Sequence, residues 1–155
     1  MTASLYLWLF TLLAFWYASE PPVSAGSIAV TVYNDGAQQT PTAETAHQIV
    51  RECERIVGRI NDAWRGLDIR GPGDDRPRTS TVWRREGITI EIRYAGTRTF
   101  DVDVTGPYDS IRARTLLVRL SPNSNTDRVL LLSDQYNAVF LTDQLIGDIQ
   151  RRLQL

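Results

Sequence analysis

Apolar positions follow three different periods along this chain: an unbroken run, an alternation, and a three-to-four spacing. The unbroken run is residues 4 to 17, SLYLWLFTLLAFWY, apolar all round except for Ser4 and Thr11. This is the pattern of a helix surrounded by lipid or by protein. From Ala3 to Ser19 such a helix is about 25 Å long, a little short of a hydrocarbon core of about 30 Å.

A fully buried core helix is disfavoured by so aromatic a run, and two further readings compete for this segment. Val23-Ser24-Ala25 places small residues where a signal peptidase needs them, with cleavage before Gly26, and Pro21-Pro22 ends the helix just upstream. Against removal, no basic residue precedes the run. Trp8, Phe10, Phe15, Trp16 and Tyr17 are dense for the core of a signal peptide, and Trp16 and Tyr17 before Glu20 suit a membrane–water interface. The balance favours a retained anchor over residues 1–19 that contacts membrane lipid. Residues 20–27 then form a Pro- and Ser-rich linker, and residues 28–155 a single domain. No Arg lies close enough to fix orientation by the positive-inside bias; Glu20 and the free amino terminus weakly place the domain on the extracytoplasmic side.

Alternation begins at Ser27, where SIAVTVY has the β-branched and aromatic content of a strand, stopped by Asn34-Asp35-Gly36. After a polar loop through Pro41, the spacing of Ile49, Val50, Cys53, Ile56, Val57, Ile60 and Trp64 predicts a helix starting at Thr42 or Thr45. DIRGPGDDRPR is rich in breakers and reads as a surface loop. Three short strands are expected over residues 79–106, with turns at Glu86-Gly87 and Ala95-Gly96. Keeping the apolar sets on one face pairs Tyr94 with Phe100, Ile92 with Val102 and Ile90 with Val104, and leaves Glu91 and Asp103 on the outer face.

Ala113, Leu116, Leu117 and Leu120 stand at i, i+3, i+4 and i+7 ahead of Pro122, with Asp109 or Ser110 available as a cap, which predicts a helix. DRVLLLSD reads as a buried strand. A terminal helix is expected from about Thr142, with Leu145, Ile146, Ile149 and Leu153 inward and Arg151-Arg152 near its end. The fold class is therefore α+β: a hydrophobic helix, then one small domain with an antiparallel sheet and two or three helices.

Charge adds little to this picture. Every one of the 17 cations is Arg, yet 18 acidic residues nearly balance them. Arg65, Arg70, Arg76, Arg78, Arg84 and Arg85, with Trp64 and Trp83, form the one basic and aromatic concentration. Phosphate contact through Arg76, Arg78, Arg84 and Arg85 is the functional reading, although Asp68, Asp74, Asp75 and Glu86 dilute it.

Candidate chemistry is sparse. A single His and a single Cys, six residues apart on different sides of one helix, exclude the common zinc arrangements. Cys53 belongs to the apolar stripe, as a structural thiol does. Glu91, Asp101 and Asp103 could offer oxygens to a hard cation, but side chains on a flat sheet rarely supply six of them, and an outer face balanced by Arg accounts for them better. No nucleophile elbow, P-loop or dinucleotide fingerprint is present, so no catalytic residue, metal or cofactor is expected. The expected function is that of a non-enzymatic, membrane-anchored accessory or assembly protein acting on other protein subunits. The alternatives are Arg-dependent binding of nucleic acid, and an exported soluble domain after cleavage before Gly26.

Overall fold

The computed structural model describes residues 28–65, 78–102, 108–122 and 126–155; the proposed anchor and linker, with Trp8, Phe10, Phe15, Trp16 and Tyr17, lie outside the described residues. No helix among the described residues is long and apolar enough to cross a membrane.

The domain is a seven-strand antiparallel sheet with three helices. Strand β1 (Ile28–Asn34) turns through Asp35 and Gly36, both at positive φ, into β2 (Ala37–Gln39). Two successive left-handed residues give the hairpin turn whose twist matches that of paired strands. Helix α1 (Ala43–Val57) starts where Thr42 accepts the backbone N–H of Thr45, and closes at Gly58. Strand β3 (Ile60–Arg65), helix α2 (Thr79–Arg85), β4 (Ile88–Asp101), β5 (Ser110–Arg119), β6 (Arg128–Ser133), β7 (Ala138–Leu145) and α3 (Ile146–Leu153) follow. The spatial order is β2-β1-β4-β5-β6-β7-β3.

One face of the sheet carries Val30, Val32, Ile90, Ile92, Leu116, Val118, Leu131 and Phe140, packed on Ile49, Cys53, Ile56 and Val57 of α1 and on Ile146, Ile149 and Leu153 of α3. Tyr108, Tyr136 and Phe140 meet there edge to face at 5.4 to 5.5 Å. On the other face Trp83 of α2 joins Leu117, Leu130, Leu132 and Val139 in a smaller cluster. The sheet is thus buried on parts of both faces, and this explains most departures from the expected elements.

The strand at β1, the buried strand at β6, the turn at Glu86-Gly87 and the burial of Ile146, Ile149 and Leu153 agree with the pattern. Besides the short strand β2 inside the segment expected as a polar loop, five expectations are corrected. The helix from Thr42 stops at Val57, and Ile60 and Trp64 belong to β3. Residues 79–85 are helical because Trp83 docks on the sheet. Residues 110–119 are a strand: Ala113 and Leu116 both reach the main core across a bulge, so a break in alternation imitates a helical step.

The fourth correction concerns β4, which runs unbroken through Ala95-Gly96. It bulges between Arg93 and Arg98 instead of turning, so that Ile92 pairs with Val30 and Leu116, and Phe100 with Ile111. Tyr94 and Phe100 still touch, with ring centres 5.7 Å apart along one strand. Val104 and Asp103 lie outside the described residues. The last helix begins at Ile146, and Leu145, expected inward, is exposed at its start.

Candidate functional site: a buried glutamate beneath an arginine-bearing helix

The two-residue spacing of Glu91 and Arg93 puts both side chains on the face of β4 opposite the main core. The neighbouring strand β1 adds Tyr33, and α2 lies over them, contributing Arg84 from its last turn. Glu91 is 1% exposed. Its Oε2 accepts from Tyr33 Oη at 2.9 Å and from Arg84 Nε at 2.7 Å, and its Oε1 accepts from Arg93 Nε at 2.5 Å. Beside it, the Thr89 hydroxyl donates to the Trp83 carbonyl at 2.7 Å, tying α2 to β4 a second time.

Ionisation follows from these contacts. Burial alone would raise the Glu91 carboxyl, but the hydrogen bonds from Arg84, Arg93 and Tyr33 outweigh it and hold the group below its ordinary value. Burial, reinforced by the adjacent carboxylate, pushes the Tyr33 phenol up. The bond to Glu91 raises the Arg84 guanidinium. At neutral pH the cluster therefore contains a fixed carboxylate, two fixed cations and a neutral phenol. A general acid or base needs a proton affinity near the working pH, and every shift here moves away from that. The arrangement fastens a helix to a sheet and leaves one net positive charge.

Arg119 completes the surroundings. Its guanidinium carbon lies 5.8 Å from the centre of the Trp83 ring. Its buried Nε has no hydrogen-bond partner among the described residues, and burial lowers its proton affinity.

Of the arginines singled out in the sequence, Arg84 is committed to Glu91, Arg78 is exposed at the start of α2, Arg85 is exposed at its end, and Arg76 lies outside the described residues. Trp83 is buried. Glu91 is not on an open outer face as the hairpin register implied: it opposes Thr31 and Leu117 beneath α2, while Asp101 is exposed opposite Ser110 at the far end of β4. The described residues contain no group of three or more metal-ligating side chains. Cys53 is fully buried, and burial drives its thiol far up, whereas His47 is exposed. Sequence reasoning overlooked Tyr33 and Arg93 as partners of Glu91; the Glu-x-Arg spacing was legible, but the cover supplied by α2 was not. Comparison of the chain with protein-family models, with curated proteins and with solved structures gives no match.

Proposed function

We propose that the protein is a membrane-anchored accessory or assembly component that acts through protein contacts, held at the bilayer by residues 1–19 with its domain on the extracytoplasmic side. The carrying observation is the aromatic-rich apolar run from Ser4 to Tyr17, which ends in an interfacial Trp16-Tyr17 pair before Glu20 and Pro21-Pro22. Such a short span is accommodated by pairing with other membrane subunits or by local thinning of the bilayer.

Action through contacts draws support from the ionisable groups gathered around Glu91, which are engaged with one another in states unsuited to proton transfer. Arg-dependent binding of nucleic acid draws less support, because Arg84 is withdrawn by Glu91.

Intact mass of the protein from membrane and soluble fractions of its host tests the proposal. A full-length mass in the membrane fraction, extracted by detergent together with other subunits, is the expected result. A soluble species beginning at Gly26 would overturn the anchor and make the protein an exported domain.

A further inference from the structure

A second cluster of guanidinium groups lies across the sheet from Glu91, in the groove between α1 and α3. Arg51 and Arg55 are four residues apart and so share one side of α1. Arg152 comes from the last turn of α3. With Gln48, Glu52 and Leu153 they line a cavity of about 280 Å³, just under the roughly 300 Å³ at which small-molecule pockets begin.

Glu52 organises the cluster without neutralising it. Its Oε1 accepts from Arg55 Nη2 at 2.7 Å and from Arg152 Nη1 at 3.1 Å, and its Oε2 accepts from Arg55 Nε at 3.0 Å. Gln144 Oε1 takes a further bond from Arg55 Nη2 at 3.0 Å, and Gln48 Nε2 donates to the carbonyl of Arg152 at 3.1 Å. Two forks are thereby held in place by residues far apart in sequence. Arg55 Nη1, Arg152 Nε and Nη2, and the whole exposed fork of Arg51 have no partner among the described residues. Three cations and one carboxylate line the cavity, so a charge of +2 faces solvent there.

We propose that this groove binds a terminal phosphate dianion, either free phosphate or a phosphate monoester. Guanidinium forks match phosphate oxygens in geometry and supply charge-assisted hydrogen bonds. A dianion balances the +2 lining, whereas a single carboxylate would leave half of it uncompensated. Positioning by Glu52 reduces the side-chain entropy lost on binding, because Arg55 and Arg152 are already ordered. Free inorganic phosphate and a lipid monoester headgroup present the same chemistry. The site does not depend on the anchor, since its residues all belong to the folded domain.

The test uses the full-length chain in discs of neutral phosphatidylcholine, in phosphate-free buffer at low salt and neutral pH. In one arm inorganic phosphate is titrated and read by broadening of its phosphorus NMR line; in the other, discs doped with phosphatidic acid are compared by thermal shift. Saturable binding in the first arm assigns the free anion, and a shift in the second alone assigns the lipid headgroup. Arg51→Gln, which removes no described contact, should weaken the observed binding about tenfold, the factor for one charge-assisted hydrogen bond. Arg85→Gln, the same charge change on the other face, should leave it within about twofold, as expected for a screened distant charge. No saturable response in either arm, or equal effects of the two substitutions, would overturn the proposal.

Discussion

Replacing Glu91 by Gln keeps the shape of the side chain and removes its charge, and so measures how firmly α2 is held to the sheet. Breaking a buried ion pair typically costs about 3–5 kcal/mol, and a hydrogen bond to a charged group contributes about 1.5–3 kcal/mol. Those figures need discounting here. Arg93 is 63% exposed and regains water when its partner is lost, so its share is small. Arg84 is 30% exposed and Tyr33 is buried, so their bonds to Oε2 carry most of the effect. The Gln oxygen still accepts one of them, which leaves an expected loss of about 2–3 kcal/mol at neutral pH.

The pH dependence supplies the discriminating measurement. The folded pKa of Glu91 lies below its unfolded value near 4.5. Its contribution is therefore complete above that value and is lost as pH falls through the folded pKa. Urea unfolding of both chains in mild detergent, followed by tryptophan fluorescence, should show the gap widest near neutrality and narrowing in acid. Trp83 suits this readout, because it is buried on the helix that Glu91 holds. A loss under about 0.5 kcal/mol at neutral pH, or a gap that persists unchanged in acid, would refute the assignment of Glu91 as the ionised fastening of α2, since surface pairs alone give about that much.

Two further predictions follow from backbone geometry and burial. Gly36 and Gly87 both adopt positive φ, but a Cβ at Gly36 would meet nothing closer than 3.7 Å, whereas one at Gly87 would overlap the side chain of Ser121, which accepts the Ile88 N–H. Gly36→Ala should cost about 1–2 kcal/mol from backbone strain, and Gly87→Ala measurably more by the same urea melts, with partial recovery in the Gly87→Ala/Ser121→Gly double variant; equal losses at the two sites would contradict the geometry. The Cys53 thiol, fully buried and driven up by burial, should fail to react with an aromatic disulfide reagent in the native state at mildly alkaline pH and react promptly in urea. Rapid labelling of the folded chain would show that this side of α1 opens.

Local chemistry was enough to specify several elements. Thr42 caps α1, Asn34-Asp35-Gly36 stops the first strand, and the stripe through Ile49, Cys53 and Ile56 points inward, because each depends on spacing or on backbone preferences carried by a few neighbouring residues. The unbroken apolar run of residues 4–17 is equally a property of the sequence, and the membrane proposal rests on it.

Tertiary structure decided whatever depended on what lies across the sheet. Strand β5 is central and covered on both faces, so Leu117 and Leu116 are both buried and the two-residue period that marks a strand is lost. The TSTVWRR segment folds as a helix because Trp83 and Arg84 find partners on β4 and its neighbours, against the pull of its β-branched residues. The same holds for the two charge clusters. Glu91 gains its burial from a helix that packs over it, and Glu52 joins Arg55 to an arginine 100 residues away. A one-dimensional pattern records which residues can be buried or charged; only packing brings a carboxylate from one element to a guanidinium of another, and desolvation at that contact sets its strength.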